Sequence, residues 1–387
     1  MSKKKIRFLL LSAVALITLL ISVSCTSIRT VGFTEWDIHT EAQAAYLAAE
    51  DFTKPHEYGA RGAEEMSRPV SPVFEWSCPT KISDAAASFE LLISEEPDMG
   101  SPVSYMIPAG ETSFTVSDGG MNLKVNTVYY WKVRAILNDG RVEESSVRKF
   151  STTGGIRNID VDGVTNFRDL GGYATPDGGV VRQGLIYRSG RFDMNYTTRA
   201  KVTEEGIVQA SRLGIATDID LRGDKQTDTS GTIYANGFPV DGSQPMYSPL
   251  GPDVNYVLIP RVWDKLMLDR SEGASMIREV FDVLCDADNY PVVFHCSIGT
   301  DRTGLVAFMI GCALGLSDDN LTRDYLFSNF GAIGSPRLIS DFRMSISAVE
   351  KHYEGETLSE KGIAYLLDHG VTESQIETVR SIMIECY

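Results

Sequence analysis

Pro291-Val292-Val293-Phe294-His295-Cys296-Ser297-Ile298-Gly299-Thr300-Asp301-Arg302-Thr303-Gly304 is the stretch on which the reading of this chain turns. A short apolar run, a turn containing glycine and a second apolar run at helical spacing predict a strand, a tight loop and a helix start. A helix N-terminus collects unpaired N–H groups and the positive end of the helix dipole, so the layout suits an anion. Cys296 opens the loop. A free thiol ionises near pH 8.5, and a helix N-terminus with a nearby cation lowers that value, so a thiolate is expected here. The N–H groups of Ser297, Ile298, Gly299, Thr300, Asp301 and Arg302 can curl into a nest around phosphoryl oxygens, with Gly299 allowing close approach. Arg302 can bind two of those oxygens at once. Thr303 can donate its hydroxyl to the sulfur when the thiolate leaves. His295, at an apolar strand end, reads as a structural residue that orders the loop, and Gly304 belongs to the helix start.

Working outward, strands and helices alternate after residue 156. Strands are expected at 185–188, 216–221, 256–260 and 292–295, and helices at 198–212, 264–285, 302–314, 317–327, 336–352 and 372–385. The last carries the capping box Thr372-Glu373-Ser374-Gln375. This alternation predicts an α/β domain over 156–387, a central mostly parallel sheet with flanking helices. From 70 to 153 the pattern is different: short β-type runs are separated by Asp, Gly, Pro and Asn turns. Val128 to Ala135 ends in alternating apolar and basic residues, as in a strand with one wet face, and predicts an N-terminal all-β sandwich. Trp76 and Trp131 are expected in its core. Residues 25–69 read as a polar tether with one short helix near 40–51, and Gly154-Gly155 as a hinge.

The amino terminus reads as an address. Lys3, Lys4, Lys5 and Arg7 precede an apolar run from Phe8 to Val23, and Ser24 and Cys25 follow. That order is a signal peptide over 1–24. Removing it takes the net charge from −16 to −20, because four positive charges and no negative ones are lost. Such a surface repels nucleic acid and anionic bilayers, so nucleic-acid binding is excluded and any anchor must be hydrophobic. The five histidines, at 39, 56, 295, 352 and 369, have no zinc spacing with the cysteines, and no metal or other cofactor is expected. Cys285 and Cys312 fall in apolar helical patterns and read as small core residues.

The strand, His295, the Cys296-to-Arg302 spacing, Gly299 and the Arg302-Thr303-Gly304 helix start resemble the phosphate loop of cysteine-dependent protein tyrosine phosphatases. The form HCxxGxDRTG resembles a bacterial subfamily of tyrosine and lipid phosphatases. That resemblance extends to Asn166-Phe167-Arg168-Asp169-Leu170-Gly171-Gly172, Tyr187-Arg188-Ser189-Gly190 and Asp324-Tyr325-Leu326-Phe327-Ser328-Asn329. It implies hydrolysis of phosphomonoesters, protein phosphotyrosine or dual-specificity substrates foremost, through a phosphocysteine at Cys296. A proton donor is then required. The resemblance ranks Asp301 first, since the subfamily's loop aspartate is its suggested acid. Asp264 is second, 32 positions before Cys296 and similar in place to the movable acid loop of dual-specificity phosphatases. Asp220, in Asp218-Ile219-Asp220-Leu221-Arg222, is third, its plainer reading being an ion pair with Arg222.

Where phosphoinositide-acting members often have lysine, this chain has Thr300. Phosphoinositides or inositol polyphosphates stand as the alternative substrates, for which Arg188, Arg191 and Arg222 could form a basic rim. A catalytically silent surface lipoprotein is the other alternative. Asp218-Ile219-Asp220 resembles metal-dependent aspartyl phosphatases only faintly, since Arg222 replaces the hydroxyl residue expected there. The 70–153 segment resembles a fibronectin type III or immunoglobulin-like module, implying protein or glycan contacts. Ile21-Ser22-Val23-Ser24-Cys25 resembles a bacterial lipobox, implying lipidation of Cys25 and a place in the cell envelope, on the periplasmic face or the outer membrane surface.

Overall fold

The computed structural model of the chain describes residues 27–116, 121–193, 201–223 and 247–386, with the backbone of 225–227, 233–235 and 238–239. The expected signal peptide and Cys25 lie outside these residues. No helix among the described residues is long and apolar enough to cross a membrane.

The first half is built from β1 (Arg29–Val31), β2 (Glu35–Asp37), α1 (Glu41–Ala48), β3 (Val73–Ser77), the one-turn α2 (Thr80–Ser83), β4 (Ala86–Ser94), β5 (Val103–Pro108), β6 (Ser113–Thr115), β7 (Val128–Leu137), β8 (Val142–Glu144) and β9 (Arg148–Thr153). One sheet runs β1-β3-β6, and the other β2-β9-β7-β4-β5 with β8 paired to β7. In β7 the side chains of Tyr129, Trp131, Val133, Ala135 and Leu137 turn inward at every second residue, which is the two-residue period of a half-buried strand. Trp131 meets Phe74 of β3 edge-on at 4.8 Å, so the two sheets share one core, and Trp76 is buried in it.

The expected tether is corrected. β1 pairs antiparallel with β3, and β2 runs parallel to β9. α1 is capped by Thr40 and Gln43 reciprocally, and its Tyr46 is fully buried in the core of the second half. Arg323 donates to the carbonyls of Tyr46 and Ala49 at 3.0 and 2.6 Å. A few well-spaced anchors, Trp36, Ile38, Tyr46 and Phe52, order a segment whose average composition is polar. Gly154-Gly155 is not a loose hinge either: the buried His39 ring pairs with the Ile156 carbonyl at 2.7 Å and lies against Gly154.

The second half contains β10 (Arg168–Asp169), β11 (Val180–Val181), β12 (Ile186–Ser189), α3 (Glu204–Ser211), β13 (Thr217–Arg222), β14 (Lys225–Thr227), β15 (Ile233–Ala235), β16 (Phe238–Pro239), β17 (Asn255–Arg261), α4 (Ser271–Leu284) and β18 (Val292–His295). Then come α5 (Asp301–Ala313), α6 (Asp318–Phe327), α7 (Ile339–Ser345), α8 (Ser347–His352), α9 (Leu358–Asp368), α10 (Glu373–Met383) and β19 (Ile384–Glu385). The central sheet has the order β10-β12-β18-β13-β17; its last four strands are parallel, and β10 closes one edge antiparallel. β18 enters between β12 and β13, and a ligand site in such a sheet lies beyond the strands' carboxyl ends. Cys296 follows β18 at that end. Every residue of α5 is buried, which explains a helix apolar nearly all round.

Element boundaries differ from expectation where irregular turns intervene. The helix expected from 264 begins at Ser271, after a 3₁₀ turn at Met267–Asp269. The helix expected over 336–352 is two helices, and α9, opened by a Thr357–Glu360 capping box, lies where no helix is expected.

Candidate active site

The register of the sheet places Ser189 and Asp220 on either side of His295, one residue before the thiol. Cys296 is 1% exposed. Burial pushes its thiol up, but the Arg302 guanidinium and the neighbouring Thr303 hydroxyl and N–H outweigh burial and leave it below its ordinary value.

The loop that follows is fastened from outside. Gly299 has φ 72°, and a Cβ there would lie 2.5 Å from the Ser189 carbonyl, so only glycine fits. The Asn166 amide donates to the carbonyls of Gly299 and Ile298 at 3.0 and 3.2 Å and to the Thr300 hydroxyl at 3.2 Å. Arg188 donates to the Gly299 carbonyl at 2.8 Å. A trans peptide sets its carbonyl opposite the next N–H. Fastening carbonyls 298 and 299 outward therefore turns the N–H groups of Gly299 and Thr300 to the loop's inner side, where an anion would sit.

The fasteners are themselves held by Asp324 of α6. Its carboxylate pairs with Arg188 and, at 2.8 Å, with Arg168, whose guanidinium also bonds Asn166 and reaches the Asp324 carbonyl at 2.6 Å. Burial alone would raise the Asp324 carboxyl, but the two guanidiniums override it and hold it low. Burial and the neighbouring Arg168 bring Arg188 down to about 10. Gly304 leaves room for the Tyr325 ring, which a Cβ would meet at 2.9 Å.

His295 is fully enclosed, with Nε2 3.0 Å from Asp218 Oδ1, Nδ1 3.9 Å from Asp220 Oδ1, and the Phe192 ring at 5.1 Å. Burial would lower its pKa, but the Asp220 and Asp218 carboxylates raise it. Arg302 donates from Nη1 to the Arg261 carbonyl at 2.6 Å and from Nη2 to Ser297 Oγ at 3.3 Å. The end of β17, and the 262–266 segment beyond it, therefore start at this arginine.

The three aspartates sit in different company. Both oxygens of Asp220 are engaged by Arg222 at 2.7–3.1 Å, and Tyr256 donates to Oδ2 at 2.7 Å. Burial would raise its carboxyl, but Arg222 and His295 hold it far below the usual range, so it cannot carry a proton at neutral pH. The ion-pair reading of Asp220 replaces the acid reading. Asp301, the first-ranked acid, gives both oxygens to Arg337, each at 2.8 Å. A proton on either oxygen would cost one of those bonds. Asp264 accepts from the Leu266 N–H at 2.8 Å and pairs with Arg270 at 2.8 Å, where both side chains are open to water.

The expected basic rim is absent among the described residues: Arg188, Arg191 and Arg222 are at most 2% exposed. Arg188 holds the loop, and Arg222 joins Asp220 to Asp193. Thr300 is fully buried and is one of the groups that fasten the loop. Four residues without an expected role do structural work at the site: Asn166, Arg168, Asp324 and Arg337. The first three lie in stretches that the family resemblance covers, whereas nothing near Arg337 in sequence points to Asp301.

A family model described as the tyrosine phosphatase family matches residues 159–385. A Cupriavidus necator protein provisionally named a tyrosine-protein phosphatase is 28% identical over 185 residues, 45% of this chain and 64% of that protein. The chain thus spans somewhat less than two thirds of that relative. A Mycobacterium tuberculosis protein named triple specificity protein phosphatase PtpB is 22% identical over 278 residues, 58% of this chain and 98% of that one. Among solved structures, the core catalytic domain of the PP-IP phosphatase SIW14 from S. cerevisiae, in complex with citrate, covers 46% of this chain and 84% of its own, at 12% identity and a TM-score of 0.27.

Proposed function

The chain belongs to the tyrosine phosphatase family, and from that premise we propose that it hydrolyses phosphomonoesters, phosphotyrosine in proteins foremost, through a phosphocysteine at Cys296. The observation that carries this reading is a buried thiol held below its ordinary pKa at the mouth of a loop whose carbonyls are fastened outward. The Cys296 thiolate attacks phosphorus, forming the S–P bond as the P–O bond to the leaving group breaks. Arg302 turns from Ser297 and the Arg261 carbonyl to two phosphoryl oxygens and stabilises the charge spreading over them. The leaving oxygen takes a proton from a carboxylic acid. Water then attacks phosphorus and gives its proton to the same carboxylate, and the S–P bond breaks to release phosphate and restore the thiolate. Thr303 stabilises that thiolate as it leaves.

We assign the proton donor to Asp264. Its ion pair with Arg270 is exposed, and such pairs are worth only about 0–1 kcal/mol, so it exchanges readily. Its loop begins where Arg302 is docked. Asp301 is committed to Arg337 and Asp220 to Arg222.

Hydrolysis of para-nitrophenyl phosphate in a metal chelator, comparing the wild type with Cys296→Ser, tests the reading. Chelator-resistant turnover lost in the variant supports it. Saturable phosphate binding without turnover would instead make the protein a phosphoester-binding surface protein.

The sequence of residues 1–25 supports a lipid-anchored envelope protein, with residues 70–153 as a fibronectin type III-like spacer. Metabolic labelling with a palmitate analogue should mark the wild type and not Cys25→Ala; equal labelling of the two would remove the anchor.

A further inference from the structure

An aspartate inside an anion-binding loop is an electrostatic liability. Asp301 is the first residue of α5, where a carboxylate is favoured by the helix dipole that the incoming phosphoryl group also uses. Its charge opposes the Cys296 thiolate and raises that thiol against the pull of Arg302. Something must offset it for the loop to hold both a thiolate and a phosphate dianion.

Arg337 is placed to do so. Its guanidinium meets Asp301 fork to fork at 2.8 and 2.8 Å, the bidentate geometry that gives the strongest such pairs. The arginine is also held by contacts outside the pair. Its N–H donates to Asn329 Oδ1 at 2.7 Å, the Asn329 amide donates to its carbonyl at 2.9 Å, and its Nη1 is anchored on Ser335. The pair borders a cavity of 290 Å³ also lined by Trp263, Lys265, Tyr325 and Asp341. In it the other cation, Lys265, is paired with the other carboxylate, Asp341, at 3.4 Å.

We propose that Arg337 is a positioning residue that neutralises and immobilises Asp301, so that the loop can bind a phosphate dianion beside the Cys296 thiolate. The proposal rests on the phosphatase reading of the loop, but it concerns affinity for the anion rather than the identity of the acid.

The test uses the full chain and inorganic phosphate as the probe. Alkylation of Cys296 by iodoacetamide is followed on the Cys296 peptide by mass spectrometry, and protection by phosphate gives its dissociation constant. Arg337→Ala should weaken phosphate about tenfold, because the Asp301 charge is left unopposed. Arg337→Lys should recover part of the loss. Adding Asp301→Asn to Arg337→Ala should restore affinity to within about threefold of the wild type, since no carboxylate then remains to oppose. Asp301→Asn alone should bind phosphate as tightly as the wild type or more so, which keeps the test decisive if Arg337→Ala does not fold. A purely structural role for Arg337 predicts no rescue by Asp301→Asn, and that result, or weaker binding in Asp301→Asn alone, overturns the proposal. Failure of phosphate to protect Cys296 in the wild type would overturn the phosphatase reading along with it. Normal wild-type protection with an unchanged Arg337→Ala overturns this inference alone.

Discussion

The two flanks of the phosphate loop are held by charged groups of the same kinds in opposite settings. On the α6 flank, Arg168, Arg188 and Asp324 are almost wholly enclosed and are tied to the loop through Asn166 and the Gly299 carbonyl. On the β17 flank, Asp264 and Arg270 meet in water, and Arg302 rests on a backbone carbonyl and a serine hydroxyl. Enclosed charges cannot exchange partners without leaving one uncompensated, at several kcal/mol, whereas exposed ones exchange for about 1 kcal/mol or less. The first flank thus fixes the geometry of the nest, and on the second the exposed Asp264 is able to change partners during a reaction cycle. Asp301 and Arg337 lie between these extremes, mostly enclosed and paired through both carboxylate oxygens.

Substitutions on the two flanks should separate stability from turnover. The largest effect is expected from Asp324→Ala, which leaves two buried guanidiniums without their shared carboxylate. Stability should fall by about 3–5 kcal/mol in urea titrations and turnover should vanish. If stability is unchanged, the enclosed flank is not a structural clamp. Asp264→Asn should do the reverse. Its unfolding free energy from urea titration should stay within about 1 kcal/mol of the wild type. Its kcat/KM for phenyl phosphate, whose phenolate is a poor leaving group, should fall about a hundredfold. Para-nitrophenyl phosphate should be affected much less. An equal loss on both substrates would send the search for the acid back to Asp301.

The smallest effect concerns Cys296 itself. Since Arg302 and Thr303 hold its thiol below its ordinary value, the pH profile of iodoacetamide alkylation should have its midpoint below about 8.5. Thr303→Ala removes the hydroxyl next to the thiolate, so the midpoint should rise and alkylation at pH 6 should slow severalfold. A midpoint unmoved by the substitution would mean that the threonine contact is not made in solution.

The strand, loop and helix at 291–304 were legible because the features that form them are neighbours in the chain: an apolar strand, a glycine where the backbone turns left-handed, and an apolar helix directly after. The alternation of β7 was legible for the same reason, since one wet face and one buried face write themselves at every second residue. What escaped depends on distance. Residues 27–69 look polar on average, yet Tyr46 anchors them in a core built mostly more than a hundred residues later. Arg188, Arg191 and Arg222 suggested an exposed basic rim because sequence shows charge but not burial. The Asp301–Arg337 pair spans 36 positions and an irregular segment, where no periodicity records which side chains meet.

Rapid mixing with para-nitrophenyl phosphate, acid quenching within the first turnover and mass spectrometry of the Cys296 peptide test the central claim most directly. The account predicts one added phosphoryl group on Cys296 that appears with the burst of nitrophenol and decays as phosphate is released. Turnover with no phosphorylated Cys296 peptide at any quench time, and undiminished in Cys296→Ser, would contradict it.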